Sequence, residues 1–290
     1  MEPPVRYMSP DEDSARWSEL SLRPGDVVIS TRSKSGTTWM QQICLSLALG
    51  RAELPDALAR LSPWVDWLAE PIEDVSARLA AQAQPRVLKT HTPLDGIPLD
   101  PRVTYIVVAR HPLDAAVSLY HQGENLNRRR IWQLTGAQPP PWRPRLKEWL
   151  LRWIHDDVDP RESLDSLPGV MWHLTDAWSR QGAPNVHLVH YADLLNDLDS
   201  EMRRVADILD VPVDEGAWPS LVHAATFSSM RARAAESAPA SNGLLKDPSA
   251  FFRRGTVGDG EALLTADERA RYEDRVGGLG PPELIDWLHR

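Results

Sequence analysis

The chain has 290 residues, long enough for one large domain with a sizeable core, and its 42% hydrophobic and 25% charged composition is that of an ordinary globular protein. A formal net charge of −9 argues against a general nucleic-acid binder. No apolar run approaches the ~18 residues of a membrane span, and the start Met-Glu-Pro-Pro-Val-Arg lacks a signal-peptide pattern, so the expected location is the cytoplasm.

Residues 1–23 read as an N-terminal arm with a short helix over 11–20, and Arg23-Pro-Gly-Asp26 is a turn. Val27 to Ile29 is a short apolar, β-branched strand, followed by a polar turn over 30–36. Trp39, Ile43 and Leu47 then recur at helical spacing, with Met40 and Cys44 beside them, so a helix starts at Thr37 or Thr38. Cys44 is the only cysteine; no internal disulfide is possible, and its place on the apolar helix face fits a buried structural thiol. A loop over 51–71 carries Pro55, Pro63 and two tryptophans, and a helix follows over 72–82. Residues 86–90 form a strand that ends at His91. The near-continuous apolar run 103–109 fits a parallel strand covered on both faces.

A helix begins over 113–121, while 122–168 is polar, proline-rich and without a clear element. Further on come a helix over 170–180, a strand over 185–190 and one amphipathic helix over 194–209. Residues 218–224 read as helix, 232–250 as a small, polar, mobile stretch, 261–276 as helix, and 282–289 closes the chain without internal repeats. Alternating strands and helices imply a single α/β domain over 1–290, doubly wound, with a central parallel sheet and helices on both faces. Ligands in such sheets bind beyond the carboxyl ends of the strands. The turn 30–36, Thr90-His91 and Arg110-His111 all leave strand ends, so three pieces of chemistry converge on one rim.

The first of these is an anion site in outline. Free N–H groups and the helix dipole meet there. Lys34 adds a full charge, Ser35, Thr37 and Thr38 add hydroxyl donors, and Gly36 permits close approach. The bland reading is a Ser/Thr-rich helix cap. The G-x-x-x-x-G-K-[ST] loop of nucleotide hydrolases does not match, because Lys34 precedes Gly36. Arg110 presents a planar fork suited to phosphate, or else caps its strand in an ion pair, and Ser118 lies two turns along the next helix. A lone histidine is more often structural, but His91 follows a strand end beside the anion turn and can accept a proton near its unperturbed pKa of ~6.5. His111, His121 and His155 lack that context, and no His, Cys or carboxylate cluster has metal-ligand spacing, so no metal is expected. Lys89 and the Arg253-Arg254 pair are further local cations; Arg128 to Arg130 read as a solvated face. Among the 12 tryptophans, Trp64, Trp67, Trp132, Trp142, Trp149 and Trp153 lie in or near irregular segments, to line a groove or pack a core.

Lys34-Ser-Gly-Thr-Thr-Trp39 resembles the 5′-phosphosulfate loop of the cytosolic sulfotransferases, which use 3′-phosphoadenosine 5′-phosphosulfate (PAPS). Arg110-His-Pro-Leu-Asp-Ala-Ala-Val-Ser118 resembles their 3′-phosphate motif, and Lys89-Thr-His91 their Lys-x-His segment. His190-Tyr-Ala-Asp-Leu194 resembles the stretch whose tyrosine, here Tyr191, meets the adenine. Ala225-Thr-Phe-Ser-Ser-Met230 resembles Thr-Ser-Phe-x-x-Met, which puts Phe227 on the purine with Met230 nearby; Ala225 replaces the first threonine. The segment 251–259, with Arg253, Arg254 and Gly255, resembles Arg-Lys-Gly-x-x-Gly-Asp-Trp; Arg254 replaces the lysine and Gly260 the tryptophan. The resemblance covers about 24–270 and is weakest over 122–168. Lys-Thr-His-Thr-Pro-Leu-Asp-Gly looks like the actinobacterial glycolipid sulfotransferases.

The resemblance implies a P-loop-kinase-like sulfotransferase fold, PAPS as donor, PAP as product and no metal. By the same likeness His91 is the base, Lys34 meets the bridging oxygen, and Lys89 with the loop N–H groups holds the sulfuryl oxygens. The acceptor would lie among the loops 51–71, 122–168 and 232–250, which carry many tryptophans and prolines and few charges: a small-molecule or lipid hydroxyl, such as a glycolipid or a flat phenol. Two other readings stand beside it. One is a P-loop-like nucleotide or small-molecule kinase, disfavoured because the G-K-[ST] order is missing and Arg110 stands where an acidic metal ligand is expected. The other is a non-catalytic PAPS-binding protein, which leaves His91 and Lys89 without a task.

Overall fold

The computed structural model describes residues 3–83, 85–136, 144–238 and 243–290. Four parallel strands, β1 (Val27–Ser30), β2 (Val87–Thr90), β3 (Thr104–Ala109) and β4 (Val186–His190), lie in the order β2-β1-β3-β4. Val28 pairs with Leu88 on one side and with Tyr105 on the other, which aligns the carboxyl ends of β1, β2 and β3. Alternate strand residues feed two cores. Val27, Ile29, Val87, Ile106 and Val108 belong to one, and Val28, Leu88, Tyr105, Val107 and Ala109 to the other. Because both faces are covered, β1 is buried throughout and reads as a continuous apolar run.

The helices fall on the two faces in turn. On the first core pack α1 (Thr37–Leu49) and, after the short α2 (Leu58–Leu61), residues of the first five helices that follow β4. On the second pack α3 (Ile72–Ala81), α4 (Pro112–Asn125), α6 (Leu146–His155) and α7 (Leu167–Ser179), with the last two helices. Between α4 and α6 lies α5 (Arg128–Thr135). After β4 come α8 (Tyr191–Asn196), α9 (Leu198–Ile208), α10 (Trp218–Ala225), α11 (Phe227–Ala232), α12 (Ala234–Ser237), α13 (Ala266–Gly277) and α14 (Pro282–Leu288). Cys44 is fully buried on α1, and burial raises its thiol pKa far above the usual range. At the amino ends of the strands, buried Asp26 and Arg86 pair at 2.5 Å, away from the opposite rim.

Several expectations need correction. The stretch 122–168 is not all loop: α6 buries Leu150, Trp153 and Ile154 at helical spacing in the core, a stripe masked in sequence by Lys147, Glu148 and Arg152. Trp153 therefore packs a core, and Trp132 on α5 is half exposed. The single helix expected over 194–209 is two. Asp197 leaves the helical backbone at φ −147°, ψ 82°, and its side chain accepts from Ser200 N–H, which caps α9 afresh. The helix expected from 261 starts at Ala266, because Thr265 and Glu268 form a capping box. The arm holds a 3₁₀ turn, Ser14–Glu19, shorter than the helix expected there. Within 232–250, α12 and a buried Leu245 give local order. Trp142 and parts of two of the three expected acceptor loops, 137–143 and 239–242, lie outside the described residues.

Candidate active site

The turn between β1 and α1 is tight and its backbone unusual. Lys34 has φ 67° and Gly36 φ 109°, both left-handed. A Cβ on Gly36 would stand 3.0 Å from a Tyr191 ring carbon and 3.3 Å from Val108, so only glycine fits. Met40 N–H is the first of α1 to reach back, to Gly36 O at 3.0 Å, so the amides of Thr37, Thr38 and Trp39 precede the helical ladder. Thr31 and Thr37 hydroxyls bond to each other across the turn. Lys34 Nζ lies 3.6 Å from the centre of the Phe251 ring. Burial, then the neighbouring Arg110, Lys89 and Arg253, pulls its pKa down to about 7.

At the end of β2 stand Lys89, Thr90 and His91. His91 Nδ1 bonds the carbonyl oxygen of Thr31 at 2.5 Å. A carbonyl only accepts, so Nδ1 carries the proton and Nε2 keeps its lone pair. Burial, with Lys89 and Arg32, holds the ring well below the usual histidine range and therefore neutral. Lys89 Nζ sits 3.9 Å from the Trp64 ring centre, and burial brings its pKa to about 8 although Glu12 and Asp66 oppose the shift. Trp64 meets His91 edge-on at 4.7 Å.

Asp66 anchors this segment. It accepts from Trp17 Nε1 at 2.5 Å, Thr90 Oγ1 at 2.6 Å, His91 N–H at 2.9 Å and Trp64 Nε1 at 3.3 Å, and it is fully buried. Arg32 donates to the His91 carbonyl and, at 2.7 Å, to Asp165; its guanidinium lies 3.9 Å from Glu12. Sequence reading missed these residues. Asp66 sits in a loop whose function depends on a fold that brings it to β2, and Glu12 arrives from the arm; neither has a local pattern to betray it.

The other end of the site is cationic. Arg110 donates to Lys34 O at 3.1 Å and Thr256 O at 3.0 Å, and its guanidinium lies 4.4 Å from the Tyr191 ring centre. Its Nε is buried without a partner among the described residues. Tyr191 meets Trp39 edge-on at 5.4 Å, and Trp39 Nε1 donates to Ala225 O at 2.8 Å. The Ala225 departure thus leaves a backbone contact in place. A Cβ on Gly255 would come within 2.6 Å of the Phe227 ring, which fixes the backbone against that ring. Arg253 and Arg254 both reach Asp259, at 2.6 and 3.3 Å. Asp114 accepts from Gly258 and Gly260 N–H at 2.8 and 2.9 Å. Gly260, which stands where the family motif has a tryptophan, lies so close to Leu113 that an added Cβ would approach it to 2.5 Å, so the backbone packs tightly there.

One cavity of about 480 Å³ joins both ends. Lys34, Gly36, Thr37, Thr38, Trp39, Lys89, His91, Arg110 and Ser118 line it, as do Tyr191, Phe227, Met230, Arg253, Arg254 and Gly255. Ser35 is the sequence-derived site residue that is absent from the lining; its N–H closes the turn on Arg32 O at 3.2 Å. Asp11 and Glu12 of the N-terminal arm also face the cavity, as do Glu70 and Asp165 from the loops expected to carry few charges. Among the described residues no group of three His, Cys, Asp or Glu is placed to hold a metal ion, and no helix is long and apolar enough to cross a membrane.

The sulfotransferase domain model matches residues 24–278. The chain is 39% identical to a glycolipid sulfotransferase of Mycobacterium bovis, over 98% of this chain and 94% of that one. It is 26% identical to mouse sulfotransferase 1B1, over 89% and 83% of the two chains. Among solved structures it resembles mouse sulfotransferase SULT7A1 complexed with PAP, with TM-score 0.70, 18% identity and coverage of 95% and 94%. It also resembles retinol dehydratase in complex with androsterone and PAP, with TM-score 0.67, 20% identity and coverage of 95% and 89%.

Proposed function

The chain belongs to the sulfotransferase domain family, and we propose that it carries the sulfuryl group of PAPS to a hydroxyl of a glycolipid or similar amphipathic alcohol, in the cytoplasm. The observation that carries this reading is the His91 ring: its Nδ1 is tied to Thr31 O while Nε2 is left as an acceptor in the cavity that Lys34 and Lys89 share. The donor end fits a nucleotide with two phosphate positions. The unpartnered Arg110 Nε, with Ser118, Arg253 and Arg254, suits a 3′-phosphate, and Tyr191 with Phe227 suits a purine. The first-turn amides of α1 suit the 5′-phosphosulfate.

PAPS supplies an activated sulfur whose leaving group is a phosphate. His91 Nε2 accepts the proton of the acceptor hydroxyl as its oxygen bonds to sulfur. Lys34 meets the charge that appears on the bridging oxygen when the sulfur–oxygen bond to the nucleotide breaks. Lys89 and the loop amides hold the sulfuryl oxygens between the two. The test is incubation with labelled PAPS and a panel of glycolipids, sterols and phenols, read by mass spectrometry. Transfer to glycolipid is expected. Transfer to phenols alone overturns the lipid assignment, and the lack of any thermal stabilisation by PAP overturns the donor assignment.

A further inference from the structure

Beyond His91 the cavity has an end that the donor does not use. Trp64 and Trp67 stack there with ring centres 5.8 Å apart and planes 4° apart. Glu12 and Asp165 flank them, both tied to Arg32. The groups at this end are unevenly satisfied. The Glu12 carboxylate, only 16% exposed, has as its nearest charge partner the Arg32 guanidinium at 3.9 Å, beyond hydrogen-bond reach. Lys89 is 6% exposed and its ammonium has no hydrogen-bond acceptor among the described residues, only the Trp64 face. The Glu12 carboxyl, largely buried and without a hydrogen-bond partner among the described residues, therefore faces the same cavity as His91, where Lys89 is committed to the sulfuryl oxygens.

A phenol or a simple alcohol brings one hydroxyl, and His91 takes it. Glu12, whose pKa burial pushes up to about 7, would then be covered without a hydrogen-bond partner, which is costly for a buried polar group. An anionic acceptor would meet Glu12, Asp165 and Asp11. A neutral ring with several hydroxyls can present one to His91 and another to Glu12, since each hydroxyl donates and accepts. Its C–H face can pack on the indole pair. We propose that the region bounded by Glu12, Asp165, Trp64 and Trp67 is a sugar subsite, so that the hydroxyl presented to His91 belongs to a sugar ring. This rests on the sulfotransferase reading for the role of His91, but not for the binding itself.

The test is titration calorimetry with octyl β-glucoside, below its micelle concentration, and with 1-octanol, each with and without PAP. Octyl β-glucoside should bind about tenfold or more tightly than octanol. Glu12→Gln and Trp67→Ala should each narrow that ratio, and Asp165→Asn is a third variant should either of these fail to fold. Equal affinity for the two alkyl ligands, no glucoside binding, or a ratio unchanged in the variants overturns the subsite. Should PAP give no binding heat, the donor assignment falls while the glucoside-to-octanol ratio still decides the sugar subsite.

Discussion

His91 and Thr31 join the ends of two neighbouring strands: the ring Nδ1 donates to the carbonyl oxygen that opens the anion turn, at 2.5 Å. The bond sets the histidine tautomer with the same backbone that opens the anion turn, so the proposed base and that turn are fixed together. His91→Asn and His91→Ala should lower kcat roughly 100-fold or more and leave PAP-induced thermal stabilisation intact. Near wild-type turnover in either variant would remove His91 from the chemistry.

Burial and the neighbouring cations pull the Lys34 pKa down to about 7. An anionic nucleotide raises that pKa, so binding above pH 7 draws in a proton, and affinity declines as pH rises through the window between the two values. Below pH 7 the lysine is already charged and the dependence flattens. Calorimetry of PAP at pH 8.5 in buffers of different ionisation heat should report net proton uptake, and Lys34→Arg, always charged, should lose most of it. Equal uptake in both proteins would place the titration elsewhere.

Arg110 is proposed to read the 3′-phosphate. Arg110→Ala should weaken PAP by roughly 10- to 100-fold, in line with loss of a charged hydrogen bond. The analogue without that phosphate should change little. A matched loss for both ligands would mean that Arg110 acts through its bonds to Lys34 O and Thr256 O instead.

Asp66 gathers four donors in a buried place. Asp66→Asn sets an amide against at least one of them, and urea unfolding should show a loss of about 1–3 kcal/mol. Because His91 N–H is among the four, kcat should fall as well, with PAP affinity far less affected. Unchanged stability would show that the four contacts can rearrange at no cost.

The strand–turn–helix at 27–45 was legible because its whole signal is contiguous: a buried strand, a polar turn with Lys34 and Gly36, and an apolar helical stripe. The same holds for Arg110, at the end of a continuous apolar strand. Asp66, Glu12 and Asp165 were not legible, since each owes its place to the burial of Trp17, Trp64 or Arg32 beside it, contacts separated by up to 133 residues in sequence. Helix α6 was hidden because three charged residues interleave its apolar stripe. Asp197 could have been read as a cap, yet the apolar periodicity on either side runs in phase across it.

Cys44 has a consequence for watching the site at work. Fully buried on α1 and held protonated, it is closed to alkylating reagents, and the chain has no other thiol. A cysteine placed by Ser249→Cys, on the exposed strip that carries Phe251 over Lys34, is then the sole reactive position. A fluorophore or spin label can be attached there without removing the native cysteine, and changes in the surroundings of that strip can be followed while nucleotide is added and withdrawn.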